Sequence, residues 1–348
     1  MSTPVTAEND GPGTMLLPTQ NLQKMPFREL PRRPKMVAPA WLPAQEDTRN
    51  EIKRVSGRAN GIPRTFIQEE QATTDLINTF ETRDDDVFVC TYPKSGTTWT
   101  QHIINLLLSK GEESDKTYME AVPWLEYLTF TGVKGFSLPS NVDQAQGWTL
   151  ETLRSTPNRR FMKTHANLKD LPCGTAKGLK VIYVARNPKD ACVSLFHHLR
   201  NKMGDTFDGD FQGLLKNFVQ GRCQHGSWFN HVLEWWEAAN ADPDHVLFLF
   251  YENMLVEPEK HIRMIAEFAG IQCTPEIIAK TAARSTLSAM KANPKANTKP
   301  SSNHLRKGGA GGWRDVFTVR ESQAFDNIYV EQMRGTGLAM DFGGGLVM

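Results

Sequence analysis

Three short segments hold residues whose types and spacing suit the handling of an anion beside a proton acceptor. The first is Tyr92-Pro93-Lys94-Ser95-Gly96-Thr97-Thr98-Trp99, beyond which Trp99, Ile103, Leu106 and Leu107 recur at helical spacing. A tight loop that opens a helix aims unpaired N–H groups and the positive end of the helix dipole at an anion. Lys94 adds charge there, and Ser95, Thr97 and Thr98 add hydroxyl donors. A phosphate is the anion this predicts. The order is not G-x-x-x-x-G-K-[ST], because Lys94 precedes Gly96 and no Gly-Lys-Ser/Thr follows. Taken alone, the loop also fits a surface turn with helix-capping threonines.

The second segment is Arg160-Phe161-Met162-Lys163-Thr164-His165. An extended backbone puts alternate side chains on one side, so Lys163 and His165 project together from a strand end. With a reference pKa near ~6.5, a neutral imidazole is suited to accept a proton at physiological pH. A lone histidine is more often structural, but a paired lysine close to a phosphate loop points to a base. In the third segment Arg186 precedes Asn187-Pro188-Lys189-Asp190, which reads as an N-cap, a proline at the first helical position and an acid in the first turn. Ser194 follows about two turns on, near the same helix face, so Arg186 and Ser194 can share an anion. A salt-bridged arginine and an interior serine are the plainer alternative.

The elements that must position these groups alternate between short apolar runs and amphipathic stretches. Strands are expected at 86–91, 160–163, 180–185 and 245–250, each ending in polar residues. The pattern predicts an α/β fold: a single domain over residues 60–340 with a central parallel β-sheet flanked by helices and a P-loop-like loop. Ligands of such sheets bind beyond the carboxyl ends of the strands. Residues 1–50 are rich in proline and lack periodicity, which predicts an extended or disordered arm. Its Arg32, Arg33 and Lys35 fit a targeting signal, which Glu8, Asp10, Glu29 and the near absence of serine make the weaker reading.

Forty basic residues stand against 39 acidic ones, so nothing in the charge balance suggests a nucleic-acid or membrane partner. Five widely spaced cysteines without a C-x-x-C pair argue against a disulfide framework and against zinc, and predict reduced thiols in the cytoplasm. No window approaches the ~18 apolar residues of a spanning helix. Paired acids at metal-ligand spacing near the loop are lacking, so no metal is expected.

T-Y-P-K-S-G-T-T-W resembles the 5′-phosphosulfate loop of the cytosolic sulfotransferase family. The resemblance runs through most of residues 84–335, with R-F-M-K-T-H at 160–165, V-I-Y-V-A-R-N-P-K-D at 181–190, G-S-W at 226–228, F-Y-E-N at 250–253 and L-R-K-G at 305–308. It implies 3′-phosphoadenylyl sulfate (PAPS) as co-substrate and transfer of a sulfuryl group to the hydroxyl or amine of a small-molecule acceptor. By the same resemblance His165 is the base, with Lys94, Lys163 and Ser194 assisting. The nucleotide would be held by Lys94, Ser95, Gly96, Thr97, Thr98 and Trp99, by Arg186 and Ser194 at the 3′-phosphate, and by Tyr251, Ser285, Thr286, Leu287, Met290, Arg306, Lys307 and Gly308. An aromatic residue is usual in the family at the place of Leu287, so stacking there is expected to be lost. Tyr251 also fits a simple core aromatic.

Trp124 and Tyr127, with Phe136 and Phe196, are implied to line the acceptor pocket, although such aromatics also suit a core. The family's dimer motif, K-x-x-x-T-V-x-x-x-E, is altered at both charged ends in Arg314–Gln323, which predicts a monomer or a weak homodimer. Three rivals are a P-loop kinase or nucleotide hydrolase, an inactive PAPS-binding protein and a luminal carbohydrate sulfotransferase. The first lacks its loop, the second would change His165 or Lys163, and the third would require a membrane anchor or signal peptide.

Overall fold

Four strands, β1 (Val87–Cys90), β2 (Phe161–Thr164), β3 (Lys180–Ala185) and β4 (Val246–Phe250), form a parallel sheet in the order β2-β1-β3-β4. This is a computed structural model, and it describes residues 58–59, 62–63, 79–130, 148–172, 177–201, 207, 209–223, 225–298, 305–342 and 346–347. The expected arm over 1–50 and Phe136 lie outside the described residues.

The strand sequences VFVC, FMKT, KVIYVA and VLFLF are apolar runs because the sheet is covered on both faces. Alternation then divides them between two cores. Phe88, Cys90, Val181 and Tyr183 face α2 (Pro188–Asn201), α3 (Phe211–Val219), α4 (Trp228–Ala241) and α8 (Val319–Met333). Val87, Val89, Ile182 and Val184 face α1 (Thr97–Leu108), α5 (Pro258–Ala269) and α6 (Pro275–Arg284). This is the layered α/β architecture expected from the sequence. In-register pairing of Cys90 with Thr164 and Tyr183 brings the ends of three strands to one edge.

Two residues expected inside the first strand lie just outside it, each held by a different task. Asp86 takes the buried guanidinium of Arg160 at 2.7 and 2.5 Å, which pins the amino ends of β1 and β2 together. Thr91 turns toward His165 at the other end. Removing either partner of the buried Asp86–Arg160 pair would strand a charge, at a cost of about 3–5 kcal/mol.

Candidate active site

Beyond β1 the loop turns on two left-handed residues, Lys94 (φ 73) and Gly96 (φ 106), and Gly96 caps α1. A Cβ on Gly96 would lie 2.8 Å from the Tyr251 ring, so this position is glycine for space as well as for φ. The left-handed lysine costs about 1–2 kcal/mol. The buried Ser95 hydroxyl has no partner among the described residues, and Thr97 is hydrogen-bonded to Thr91 Oγ1 at 2.7 Å. An orphaned buried donor at the start of a helix is what an anion cradle presents.

Arg186, after β3, ties the loop to a second segment by donating to Lys94 O at 3.0 Å and to Gly309 O at 2.9 Å. Its guanidinium lies 4.5 Å from the centre of the Tyr251 ring, which also meets Trp99 edge-on at 5.4 Å. Tyr251 is therefore a wedge between loop and arginine as well as part of the core. Arg306 is half-buried, and burial, then the nearby Arg186 charge, weakens its protonated form. The glycine-rich segment carrying Arg306 is fastened to α2 by Asp190, whose buried carboxylate accepts from Gly311 N at 2.6 Å and Trp313 N at 2.9 Å. Asn187 and Pro188 cap α2 as the sequence reads, with Asn187 Oδ1 accepting from Lys189 N at 2.9 Å.

At the end of β2, His165 is 6% exposed. Its Nδ1–H donates to the Thr91 carbonyl at 2.8 Å, which fixes the tautomer and leaves the lone pair on Nε2. Burial, then the Lys163 charge, holds its pKa well below the ordinary histidine value, so the ring is neutral at physiological pH. Glu126 accepts from His165 N at 2.9 Å and Thr164 Oγ1 at 2.7 Å, anchoring the turn that presents the ring. From behind, His231 donates Nε2–H to the His165 carbonyl at 3.2 Å and receives the Tyr183 hydroxyl on Nδ1 at 2.7 Å. Trp124 pairs in parallel with Lys163, places its ring 5.1 Å from His165, and carries Lys163 Nζ 3.6 Å over its face.

The other expected site residues have the following surroundings. Lys307 is exposed and paired with Asp315 at 2.6 Å. Thr286 caps α7 (Leu287–Ala292), accepting from Ala289 N, while Ser285 ends α6 and Met290 is buried. A Cβ on Gly308 would meet Leu287 at 2.8 Å, so these two expected residues are in contact. Phe196 packs edge-on against Phe207 and Phe211 in the aromatic core. Ser194 is half-buried on α2, and Tyr127 lies on a short helix over Leu125–Phe130. Glu126, Asp190, His225 and His231 escaped the sequence reading; Asp190 was visible only as a first-turn acid, and the others had no signal beyond residue type.

A sulfotransferase domain matches residues 84–337. Sulfotransferase 1A1 of Mus musculus is 36% identical over 289 residues, which is 79% of this chain and 93% of that protein. Sulfotransferase 1C2 of Rattus norvegicus is 34% identical over 275 residues, 75% of this chain and 88% of that protein. Among solved structures, mouse sulfotransferase SULT7A1 complexed with PAP is similar with a TM-score of 0.63 at 30% identity, over 80% of this chain and 94% of that one. Retinol dehydratase in a complex with retinol and PAP is similar with a TM-score of 0.64 at 25% identity, over 78% and 88%. The chain belongs to the sulfotransferase family and is an enzyme of the sulfotransferase class. Among the described residues no helix is long and apolar enough to cross a membrane, and no cluster of three potential metal-ligating side chains occurs.

Proposed function

We propose that this enzyme transfers the sulfuryl group of PAPS to the hydroxyl or amine of a small molecule, with His165 as general base. The observation that carries the reading is the fixed His165 tautomer: a neutral imidazole with basic Nε2, held by Thr91, the residue that follows β1 and leads into the anion loop. The donor supplies the sulfuryl group and a bisphosphate leaving group. The orphaned Ser95 hydroxyl, the start of α1 and the Lys94 charge fit its 5′ side; Arg186 and Arg306 fit a 3′-phosphate. His165 takes the acceptor proton as the new bond forms, and Lys94 and Lys163 offset charge developing on the leaving and sulfuryl oxygens. A sulfuryl group carries less charge than a phosphoryl group, so these cations suffice and the enzyme works in the presence of a chelator. PAP in two similar structures, one of them also holding retinol, supports the donor assignment and a small apolar acceptor.

The unit responsible is residues 60–340, acting in the cytoplasm, and removal of 1–50 leaves bisphosphate binding in place. Incubation with labelled PAPS and a mixed library of phenols, alcohols, steroids and amines tests the reading. Labelled products identified by mass support it; bisphosphate binding without transfer to any acceptor class overturns it.

A further inference from the structure

His225 is 7% exposed, its ring centre 5.2 Å from that of His165 at 63°. Its neighbours have defined tasks: His165 is held by Thr91, and His231 joins Tyr183 to the His165 carbonyl. Among the described residues no acid is paired with His225. The turn that presents it is held firmly. Gly226 adopts φ 74, its N–H donates to Cys223 O at 3.0 Å, and its carbonyl accepts the Tyr92 hydroxyl at 3.2 Å. The residue that opens the anion loop thus also fixes the position of a second imidazole beside the base.

Burial first, then His231 from α4 and Lys163 from β2, push the His225 pKa down to about 3, opposed by the His165 main chain. The ring is neutral across the physiological range; its N–H is drawn to the His165 main chain, which leaves one lone pair to accept. That lone pair matches a hydroxyl, which has a proton to donate; a carboxylate has none. With ring centres 5.2 Å apart and hydrogen bonds of about 2.8 Å, the two imidazoles can reach oxygens on adjacent atoms of one molecule. Building on the transfer reaction above, we propose that His225 is a specificity-determining residue that hydrogen-bonds a second hydroxyl next to the one receiving the sulfuryl group. Vicinal diols, in aromatic form catechols, are then the favoured acceptors. A buried polar group left without its partner by a simple phenol is what gives such a site its discrimination.

The test compares kcat/KM for catechol and phenol in wild type, His225→Phe and His225→Gln. The expected wild-type ratio favours catechol by about tenfold or more. It falls toward one in His225→Phe, which can neither donate nor accept, and stays within about threefold of wild type in His225→Gln, which does both. No preference in wild type, or equal loss of the ratio in both variants, overturns the proposal while leaving sulfuryl transfer standing. Transfer to neither compound or any other acceptor class overturns the parent reading and this one with it. A measurement that needs no variant is ¹⁵N NMR of the imidazoles in the dead-end complex with adenosine 3′,5′-bisphosphate. Catechol displaces the His225 resonance and phenol does not; equal response to both refutes the assignment.

Discussion

At the end of β1 the proposed donor site presents charge and main-chain donors: Lys94, the start of α1, Arg186 and, across the glycine-rich segment, Arg306. At the end of β2, one strand over, the groups are imidazoles kept neutral by burial and, for His165 and His225, by the Lys163 charge. The charged side is assembled largely from a loop and two helix starts, each local in sequence. The neutral side is assembled from β2, the 124–126 segment, the turn at 225–226 and α4, distant in the chain and joined only by folding. In the proposed reaction Lys163 connects the two: a cation that favours a leaving anion also lowers the basicity of the imidazole next to it. On that proposal proton acceptance and anion binding are coupled through Lys163, and the fixed tautomer of His165 offsets its weakened basicity by orientation.

The division is broken most severely at the neutral side. His165→Ala removes the base and lowers transfer by about 10²–10⁴-fold, while binding of adenosine 3′,5′-bisphosphate, held by the charged side, is retained. Steady-state turnover and calorimetry read the two arms, and turnover within tenfold of wild type refutes the assignment. The wild-type pH profile adds a signed expectation. Because the folded pKa lies below the ordinary ~6.5, kcat/KM stays level as pH falls from 8 to 6.5 and declines only below that, where Nε2 becomes protonated.

On the charged side the expected loss is smaller and selective. Arg186→Ala weakens adenosine 3′,5′-bisphosphate by about 1.5–3 kcal/mol, or roughly 10- to 150-fold, and adenosine 5′-phosphate much less. Equal losses for both ligands would show that Arg186 braces Lys94 and Gly309 without reading the 3′ position.

The same contrast explains what was legible in the sequence. The four strands and the anion loop could be read because apolar runs, Gly96 and the Asn187-Pro188 cap act on their own neighbours. His165 and Lys163 were legible through strand alternation. Glu126, His225 and His231 were not, since their roles arise from contacts across 39 to 66 residues that no local period records. Tyr251 was half legible: the strand end gave its place, whereas its fit against Gly96 depends on a close approach between the anion loop and the short helix Tyr251–Val256. Lys307 was legible only as a basic residue beside a glycine; its exposed ion pair with Asp315 had no local signal.

Asp190 sharpens the comparison at lower amplitude, because it acts on the charged side only through the segment it holds. In Asp190→Asn one oxygen remains for Gly311 or Trp313, and the amide cannot accept from the other. The expected effect is about 1–2 kcal/mol, roughly 5- to 30-fold, on bisphosphate affinity, with adenosine 5′-phosphate little changed. Calorimetry with both ligands checks it. A parallel loss for the two would place the effect on the fold at large.

The smallest expected effect lies just beyond that segment, where the resemblance raised the question of dimerisation. Thr318 and Glu321 are engaged in a capping box: Thr318 Oγ1 accepts from Glu321 N at 3.2 Å, and Glu321 Oε2 accepts from Thr318 N at 2.8 Å. Arg314 donates to Phe342 O at 2.7 Å and lies 4.6 Å from the Trp313 ring centre. The carboxylate that could replace the one missing at Gln323 is thus already committed to the start of α8. Val319, at 75% exposure, is left as the apolar contribution of the motif, and a single valine buries too little surface for a stable interface. We expect a monomer, or a dimer weaker than about micromolar, at physiological salt. Val319→Glu then leaves the mass, the turnover and the bisphosphate affinity where they were. Light scattering at about one micromolar decides it: a predominantly dimeric mass that Val319→Glu converts to monomer would show that Thr318 and Val319 suffice without the ion pair.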